Sequence, residues 1–460
     1  MTAVHPGAEE AQARRHGPDT VADFGVPHAN PSAPDPLGAP DRLSPPDTRT
    51  SKPATENPPE TDSTLETDKP AATKVPGPTT TAQLRALDAL VKLSTAIFPR
   101  RIRREELPPA KVSVLIPAHN ESGSIAQTLA SVRAQSLAPQ EVIVACDNCT
   151  DNTEQIASAE GARTFITYRN TAKKAGALNQ VLSLLLPAMD VDEFVMVMDA
   201  DSALNPEWLE SASSVLQRLP DVGAICGNYY GEPGSGLLGQ LQRNEYFRYG
   251  RSVARQRQAP VLSGTGTMFR VSVLKEILRE RGVTLPGVSG EIYSTMGITE
   301  DNEITFALKT LGYRCIAVQG CETITEVMPT VTHLYRQRLR WQTGTLMDLH
   351  AYGVSRVTGI YWLKQTGMYT NICATIVCWA VIIASLVQHP AISVVWTAII
   401  VLVTLAARTW TVRRAGIGGI ALSLLVLPEY CYDLFRMGVF IRSLFAAMGE
   451  GDVGWNHVER

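Results

Sequence analysis

In the stretch VMVMDADSALNPEWL, four apolar residues lead straight into Asp199-Ala200-Asp201. Two acids one residue apart, at the point where a buried strand would leave its sheet, offer oxygen ligands to a hard cation. The remaining coordination positions stay open to water and phosphate oxygens. Mg2+ and Mn2+ take that arrangement when a diphosphate supplies the other ligands. Asp-X-Asp is also frequent in solvated loops, so the setting has to carry the reading.

Other residues along the chain bear on the same chemistry. Asp147, in ACDNCTDNT, follows an apolar run and precedes a helix for which Asp151 or Asn152 is a suitable N-cap. Its carboxylate either closes an Asx turn or accepts hydrogen bonds from a bound base or ribose. Lys173 and Lys174 open the helical pattern of NTAKKAGALNQ, where the helix dipole disfavours cations unless an anion is present. Glu300 and Asp301 start an amphipathic helix in GITEDNEITFAL. Acids suit that position electrostatically, and one of them could equally serve as a general base. In YRQRLRWQTG, Gln337, Arg338, Arg340 and Trp341 combine donors with an aromatic surface. Such a set can hold a diphosphate and stack a sugar, or anchor at headgroup depth. Spacing alone does not separate these.

The elements that must position these residues follow from the hydrophobic pattern. VSVLI, EVIVA, TFITY and EFVMVM read as buried strands, and SIAQTLASVRAQ, DNTEQIASAE and AGALNQVLSLLL as the helices between them. This alternation predicts an α/β, mostly parallel, doubly wound sheet, with ligands bound at the carboxyl ends of the strands. Asp147, Asp199 and Asp201 fall at such ends. Residues 1–80 are rich in Pro, Thr, Ala, Asp and Glu and are expected to be a disordered tail. The tail shows no apolar core of a secretory signal near Met1. The next segment, 81–108, pairs an apolar stripe with the basic PRRIRRE and reads either as an interfacial helix on an anionic membrane or as a helix packed on the next domain. The strand-and-helix alternation runs from Lys111 to about Val318.

From 346 onward the chain reads as a membrane region. Spans are expected at about 368–387 and 391–407, with a third at about 417–440 that is interrupted by Pro428, Glu429, Asp433 and Arg436 and could instead be re-entrant. Arg408, Arg413 and Arg414 lie between the second and third runs, so that loop is expected inside, and with it the large domain before span one. The eight cysteines lack the spacing of a disulfide scaffold or a zinc site, which suits a reducing cytosolic face. A net charge of −3 argues against nucleic acid as a partner.

Taken in order, these motifs resemble the family 2 glycosyltransferases, in particular the membrane-integrated branch of cellulose, chitin, hyaluronan and poly-N-acetylglucosamine synthases. The matching residues are IPAHNE (Ile116 to Glu121), Asp147, Asp199-Ala200-Asp201, Thr299-Glu300-Asp301 and Gln337-Arg338-Leu339-Arg340-Trp341. The resemblance covers about 109–345 and the spans behind. The chain departs from the family in having Cys146 where a second acid usually precedes Asp147, and in lacking spans ahead of the catalytic domain. The resemblance implies a GT-A fold followed by about three transmembrane helices, and an inverting transfer from a nucleotide-diphosphate sugar, most simply UDP-linked. The acceptor would be a polysaccharide; the alternative is single addition to a lipid carrier or protein. It further implies Asp301 as general base; Pro117, Glu121, Asp147 and Asp199 as nucleotide-sugar contacts; Asp201 with Asp199 for Mg2+ or Mn2+; and Gln337, Arg340, Trp341 and Glu300 for diphosphate and acceptor. LSGTGTMFR (Leu262 to Arg270) would line the acceptor path or be a tight structural turn. The implied partners are a nucleotide-sugar donor, a glycan or lipid-linked acceptor and the bilayer, with a homo-oligomer or an auxiliary membrane subunit left open. A membrane protein that binds nucleotide without catalysis is the third reading, against which the intact Asp301 and Gln-X-X-Arg-Trp stand.

Overall fold

The computed structural model describes residues 107–256, 258–413 and 415–449. The tail expected at 1–80, nearly all of the segment 81–108, and Arg414 lie outside the described residues. Strand β1 (Val112–Ala118) is buried along its whole length, as a central strand covered on both faces must be. It pairs in parallel with β2 (Glu141–Cys146) and β4 (Phe194–Val197), and β2 pairs in parallel with β3 (Arg163–Ile166). The connecting helices are α1 (Ile125–Arg133), α2 (Thr153–Ala159) and α3 (Lys173–Leu185).

The chain winds from β1 out to β3, then crosses back to place β4 on the other side of β1. That reversal opens a crevice at the carboxyl ends of β1 and β4. Beyond it come β5 (Ala203–Leu204), α4 (Trp208–Arg218), β6 (Val222–Gly231), α5 (Gly236–Gln256), β7 (Thr267–Arg270), α6 (Val271–Glu280), α7 (Glu300–Thr310) and β8 (Arg314–Thr325). The full order is β3-β2-β1-β4-β7-β6-β8-β5. Strand β7 runs antiparallel to both β4 and β6, and β5 runs antiparallel to β8, so the sheet is mixed rather than wholly parallel. This is the α/β fold class expected, with an antiparallel insertion in its second half.

Alternation along the strands feeds two cores. Leu115, Ile143, Val195 and Val197 pack with Leu178 and Val181 of α3 and with Leu274 and Ile277 of α6. Val114, Ile116, Val144 and Met196 face the other way, onto Leu129 of α1 and Trp208 and Leu216 of α4.

Helix α8 (Val331–Tyr352) carries Gln337 to Trp341 and continues past the expected division at 345. Next come α9 (Gly359–Gln388) and α10 (Pro390–Val412), both long and apolar enough to cross a membrane. The third apolar run divides into α11 (Ile417–Leu424) and α12 (Val426–Met448), bent by 85° at the break. Pro428 falls in the first turn of α12, where a missing N–H costs no helical bond. Glu429 follows, 2% exposed, and its carboxylate accepts from Asn244 and Arg248 of α5, Arg408 of α10 and Ser423 of α11. These bonds tie α5 to the helical region behind it.

One buried ion pair braces α7. Arg281, fully buried, donates to Glu303 and to the carbonyls of Pro286 (2.8 Å) and Ile292 (2.5 Å). Removing one partner of a buried pair strands the other charge. Arg281→Ala is therefore expected to destabilise the protein by about 3–5 kcal/mol, read as a lowered Tm of the purified chain.

Candidate active site

The carboxyl ends of β1, β2 and β4 converge on a cavity of about 640 Å³. The sequence-predicted residues Pro117, Glu121, Asp147, Asp199 and Asp201 lie on its wall, and so do Glu300, Asp301, Gln337, Arg340 and Trp341. The elements set each one in turn.

After β1 the chain turns at Asn120, whose φ is +56°. Glu121 follows. Its amide donates to Thr153 Oγ1 (2.8 Å), and its Oε2 accepts from Ser124 (2.6 Å). Asn152 takes the N-cap position of α2 without a side-chain bond, and Asp151 before it accepts from the Ser122 amide and from the amide and hydroxyl of Thr153. Beside this loop Asp147 leaves β2. Its Oδ1 accepts from Asn148, Thr167 and Asn170 at 2.8–3.0 Å, and among the described residues no hydrogen bond reaches its Oδ2. Asn148, Arg169 and Lys173 join Asn120 in having positive φ, at +49°, +47° and +55°. Arg and Lys rarely adopt that region, and such strain collects where a backbone is shaped around a ligand.

The acidic pair is held through its backbone. The Asp199 amide donates to Gly264 O (2.9 Å), and the Ala200 carbonyl accepts from the buried Thr128 hydroxyl (2.7 Å). Asp199 Oδ1 lies 2.7 Å from Lys174 Nζ. The same ammonium reaches Glu300 Oε1 at 2.9 Å and Asp301 Oδ1 at 3.7 Å. Burial opposes the lysine's charge, but Asp199, Asp301 and Glu300 outweigh it and hold Lys174 well above its usual range. Glu300 resists burial because Lys174 and Arg340 lie close, and its carboxyl is held below the usual range. Asp301 goes the other way: burial, with Glu300 and Asp199 nearby, pushes it up to about 7 against the pull of Lys174. Its side chain keeps 34% exposure toward the cavity, so water tempers that rise without reversing it.

Gly264 lets these groups meet. A Cβ there would stand 2.5 Å from Asp301 Oδ2, 2.7 Å from Lys174 Nζ and 3.0 Å from Asp199 Oδ2. The turn in LSGTGTMFR therefore also makes room beside the acids.

On α8, Gln337, Arg340 and Trp341 reach the cavity, whereas Arg338 is 3% exposed and does not line it. Arg338 pairs with Glu245 (3.0 Å), and its guanidinium lies 4.4 Å from the Trp341 ring centroid. It thus fixes the indole from behind. Tyr229 on β6 and Tyr246 and Tyr249 on α5 also line the cavity, their rings packed 5.0 and 5.6 Å apart. Sequence reasoning missed these tyrosines; for Tyr246 and Tyr249 the signal was their i, i+3 spacing in NEYFRYGR. It noticed Lys174 as a misplaced cation but did not link it to the acids.

Residues 113–278 match the family described as Glycosyl transferase family 2. Among curated proteins, the chain is 25% identical over 250 residues to a poly-beta-1,6-N-acetyl-D-glucosamine synthase of Staphylococcus epidermidis, covering 53% of this chain and 56% of the relative. It is 26% identical over 241 residues to the enzyme of that name from Staphylococcus aureus, covering 51% and 54%. The chain spans about half the length of the curated relatives it matches. Among solved structures, it is similar to a mannosyltransferase from Pyrobaculum calidifontis in complex with GDP-Man and Mn2+ (TM-score 0.48, 19% identity, 75% of this chain and 97% of that one). It is also similar to glucosyl-3-phosphoglycerate synthase from Mycobacterium tuberculosis in complex with Mn2+, UDP and glucosyl-3-phosphoglycerate (TM-score 0.35, 18% identity, 54% and 81%). Around this strand-end cavity, the chain carries over residues 113–278 a domain that matches Glycosyl transferase family 2.

Proposed function

We propose that the chain is an inverting, metal-dependent glycosyltransferase. It would move a hexose or hexosamine from a nucleoside-diphosphate sugar, most simply UDP-linked, to a glycan acceptor at the cytoplasmic face of a membrane. One observation carries the reading: base-side, diphosphate-side and acceptor-side residues share one cavity of about 640 Å³, within the ~300–1,000 Å³ that enclose a ligand of nucleotide-sugar size.

Asp147, with Oδ1 already saturated by side-chain donors, presents its other oxygen to the base or ribose, and Pro117 and Glu121 shape the loop beside it. Asp199 and Asp201 would hold the divalent cation. Two carboxylates suit a hard cation that takes its other ligands from phosphate and water; among the described residues no three His, Cys, Asp or Glu side chains gather as a metal site, so diphosphate oxygens would complete the set. When bound, the cation neutralises charge on the departing diphosphate. Lys174 holds Asp199 and Glu300 in place and keeps the Glu300 carboxyl below its usual range. Asp301, at about 7, is matched in basicity to a task at neutral pH; it accepts the proton of the acceptor hydroxyl as that oxygen attacks the anomeric carbon. Arg340 and Gln337 orient the diphosphate, and Trp341 gives the acceptor sugar an apolar face. Attack opposite the diphosphate inverts the anomeric centre in one displacement.

Polymer synthesis is the reading that agrees with the names of the curated relatives. Single addition is favoured by a different observation. The apolar windows of α9 and α10 are 6% and 0% buried, so among the described residues these two helices enclose no conduit of their own. Incubating the purified chain with a panel of UDP- and GDP-sugars, with Mg2+ or Mn2+ and after chelation, and sizing the product decides between them. The expected outcome is a ladder of oligosaccharides that chelation abolishes. One added sugar would establish the second reading, and turnover without a divalent ion would remove the cation from the site.

Two substitutions test the assignments. Asp301→Asn is expected to lower turnover by about 10²–10⁴-fold while nucleotide binding by calorimetry stays near that of the parent. Gly264→Ala places a methyl group among Asp301, Lys174 and Asp199 and is expected to lower kcat by about 100-fold with little change in Tm, because the displaced atoms are side-chain ends rather than backbone.

A further inference from the structure

Helix α8 does more than present Gln337, Arg340 and Trp341. Its residues 340, 344 and 348 are spaced by four and so share one face, and that face grips the segment leading into α7. Arg340 donates to the Ile298 carbonyl (3.3 Å). Gly344 lets Thr299 approach so closely that a Cβ there would stand 2.3 Å from Thr299 Oγ1. Asp348, 3% exposed, accepts through Oδ2 from both the Thr299 hydroxyl and the Asn302 amide, each at 2.8 Å. The tightness is matched from the other side, where a Cβ on Gly297 would lie 3.0 Å from Asp348 Oδ1.

Thr299 and Asn302 flank Glu300 and Asp301. One carboxylate oxygen therefore pins the chain on both sides of the acidic pair, and pins it to the helix that carries the Gln-X-X-Arg-Trp residues. No cationic side chain pairs with Asp348 among the described residues, so its burial is not offset by an ion pair. Burial indeed pushes its carboxyl up to about 7, against the donors Asn302 and Thr299, with Glu303 and Glu300 adding to the rise. An acid in so unfavourable a setting needs a reason beyond packing, and the double acceptance at Thr299 and Asn302 supplies one.

We propose that Asp348 is a positioning residue for transfer: by fixing Thr299 and Asn302 to α8 it sets the Asp301 carboxylate at the distance from the Trp341 side of the cavity that proton transfer requires. The proposal rests on the reading of Asp301 as general base. It concerns a residue that does not line the cavity and touches neither donor nor acceptor.

The test uses the purified full chain in detergent, the donor selected by the sugar-nucleotide panel, and four variants measured side by side. Asp348→Leu keeps bulk and removes the acceptor. It is expected to lower kcat by about 100-fold, the scale of a small misplacement of a catalytic group, with the donor KM within about threefold of the parent. Asp348→Asn retains an acceptor oxygen for both donors and is expected to restore kcat to within about fivefold. Thr299→Val keeps shape, removes one of the two bonds, and is expected to lower kcat by about tenfold; it decides the matter if Asp348→Leu fails to fold. Parent-like kcat in Asp348→Leu or in Thr299→Val overturns the proposal. So does a loss in Asp348→Asn as deep as in Asp348→Leu, or a donor KM that rises in step with the fall in kcat. Asp301→Asn runs alongside: if it keeps turnover the base reading fails, whereas an inactive Asp301→Asn beside an active Asp348→Leu sinks the positioning role alone.

Discussion

One buried ammonium makes the cavity possible. Asp199, Glu300 and Asp301 come from β4's exit and from the start of α7, and Lys174 lies 2.7, 2.9 and 3.7 Å from them. Three carboxylates facing one another in a partly dry crevice would repel strongly. With Lys174 between them, the Glu300 carboxyl is held below its usual range and Asp301 is left near 7. The dipole of α3 disfavours a lysine in its first turn. That local cost is offset by the acids the sheet brings to the same point.

The second constraint is mechanical. Glu245 on α5 pairs with Arg338 of α8 and accepts from Tyr432 of α12. One turn further along α5, Arg248 meets Glu429 of α12, which also holds Arg408 of α10. Helix α5 thus stands between the cavity wall and the apolar helices, with ion pairs on both sides. Breaking such pairs leaves a buried charge without a partner, so the register between the sheet domain and α10–α12 is strongly specified.

Much of this was legible in the sequence because its signals were periodic or local. Three of the four strands read as buried announced themselves as apolar runs, whereas TFITY forms the edge strand β3 with Ile166 62% exposed; the acids fell at strand ends because a strand leaving a covered sheet is where charge can reach solvent. The two helices long and apolar enough to cross a membrane showed by length and lack of charge. What the sequence withheld depended on distant pairing. Strand β7 reads like any short apolar segment, and nothing local says that it enters antiparallel between β4 and β6. The 85° break at Leu425 showed only as an interrupted run, because the partners of Glu429 lie on three other helices. Tyr229, Tyr246, Tyr249 and Asp348 carry no motif; tertiary contact gives each of them its place. The interfacial reading of 81–108 falls outside the described residues.

The two flanks of the sheet are short strands: β3 has four residues and β5 two. A foreign strand laid along β3 would find only a few backbone groups to pair with, too little to hold it. Accretion is closed off along that margin, and the exposed apolar flanks of α9 and α10 remain the wide apolar surface of the described residues.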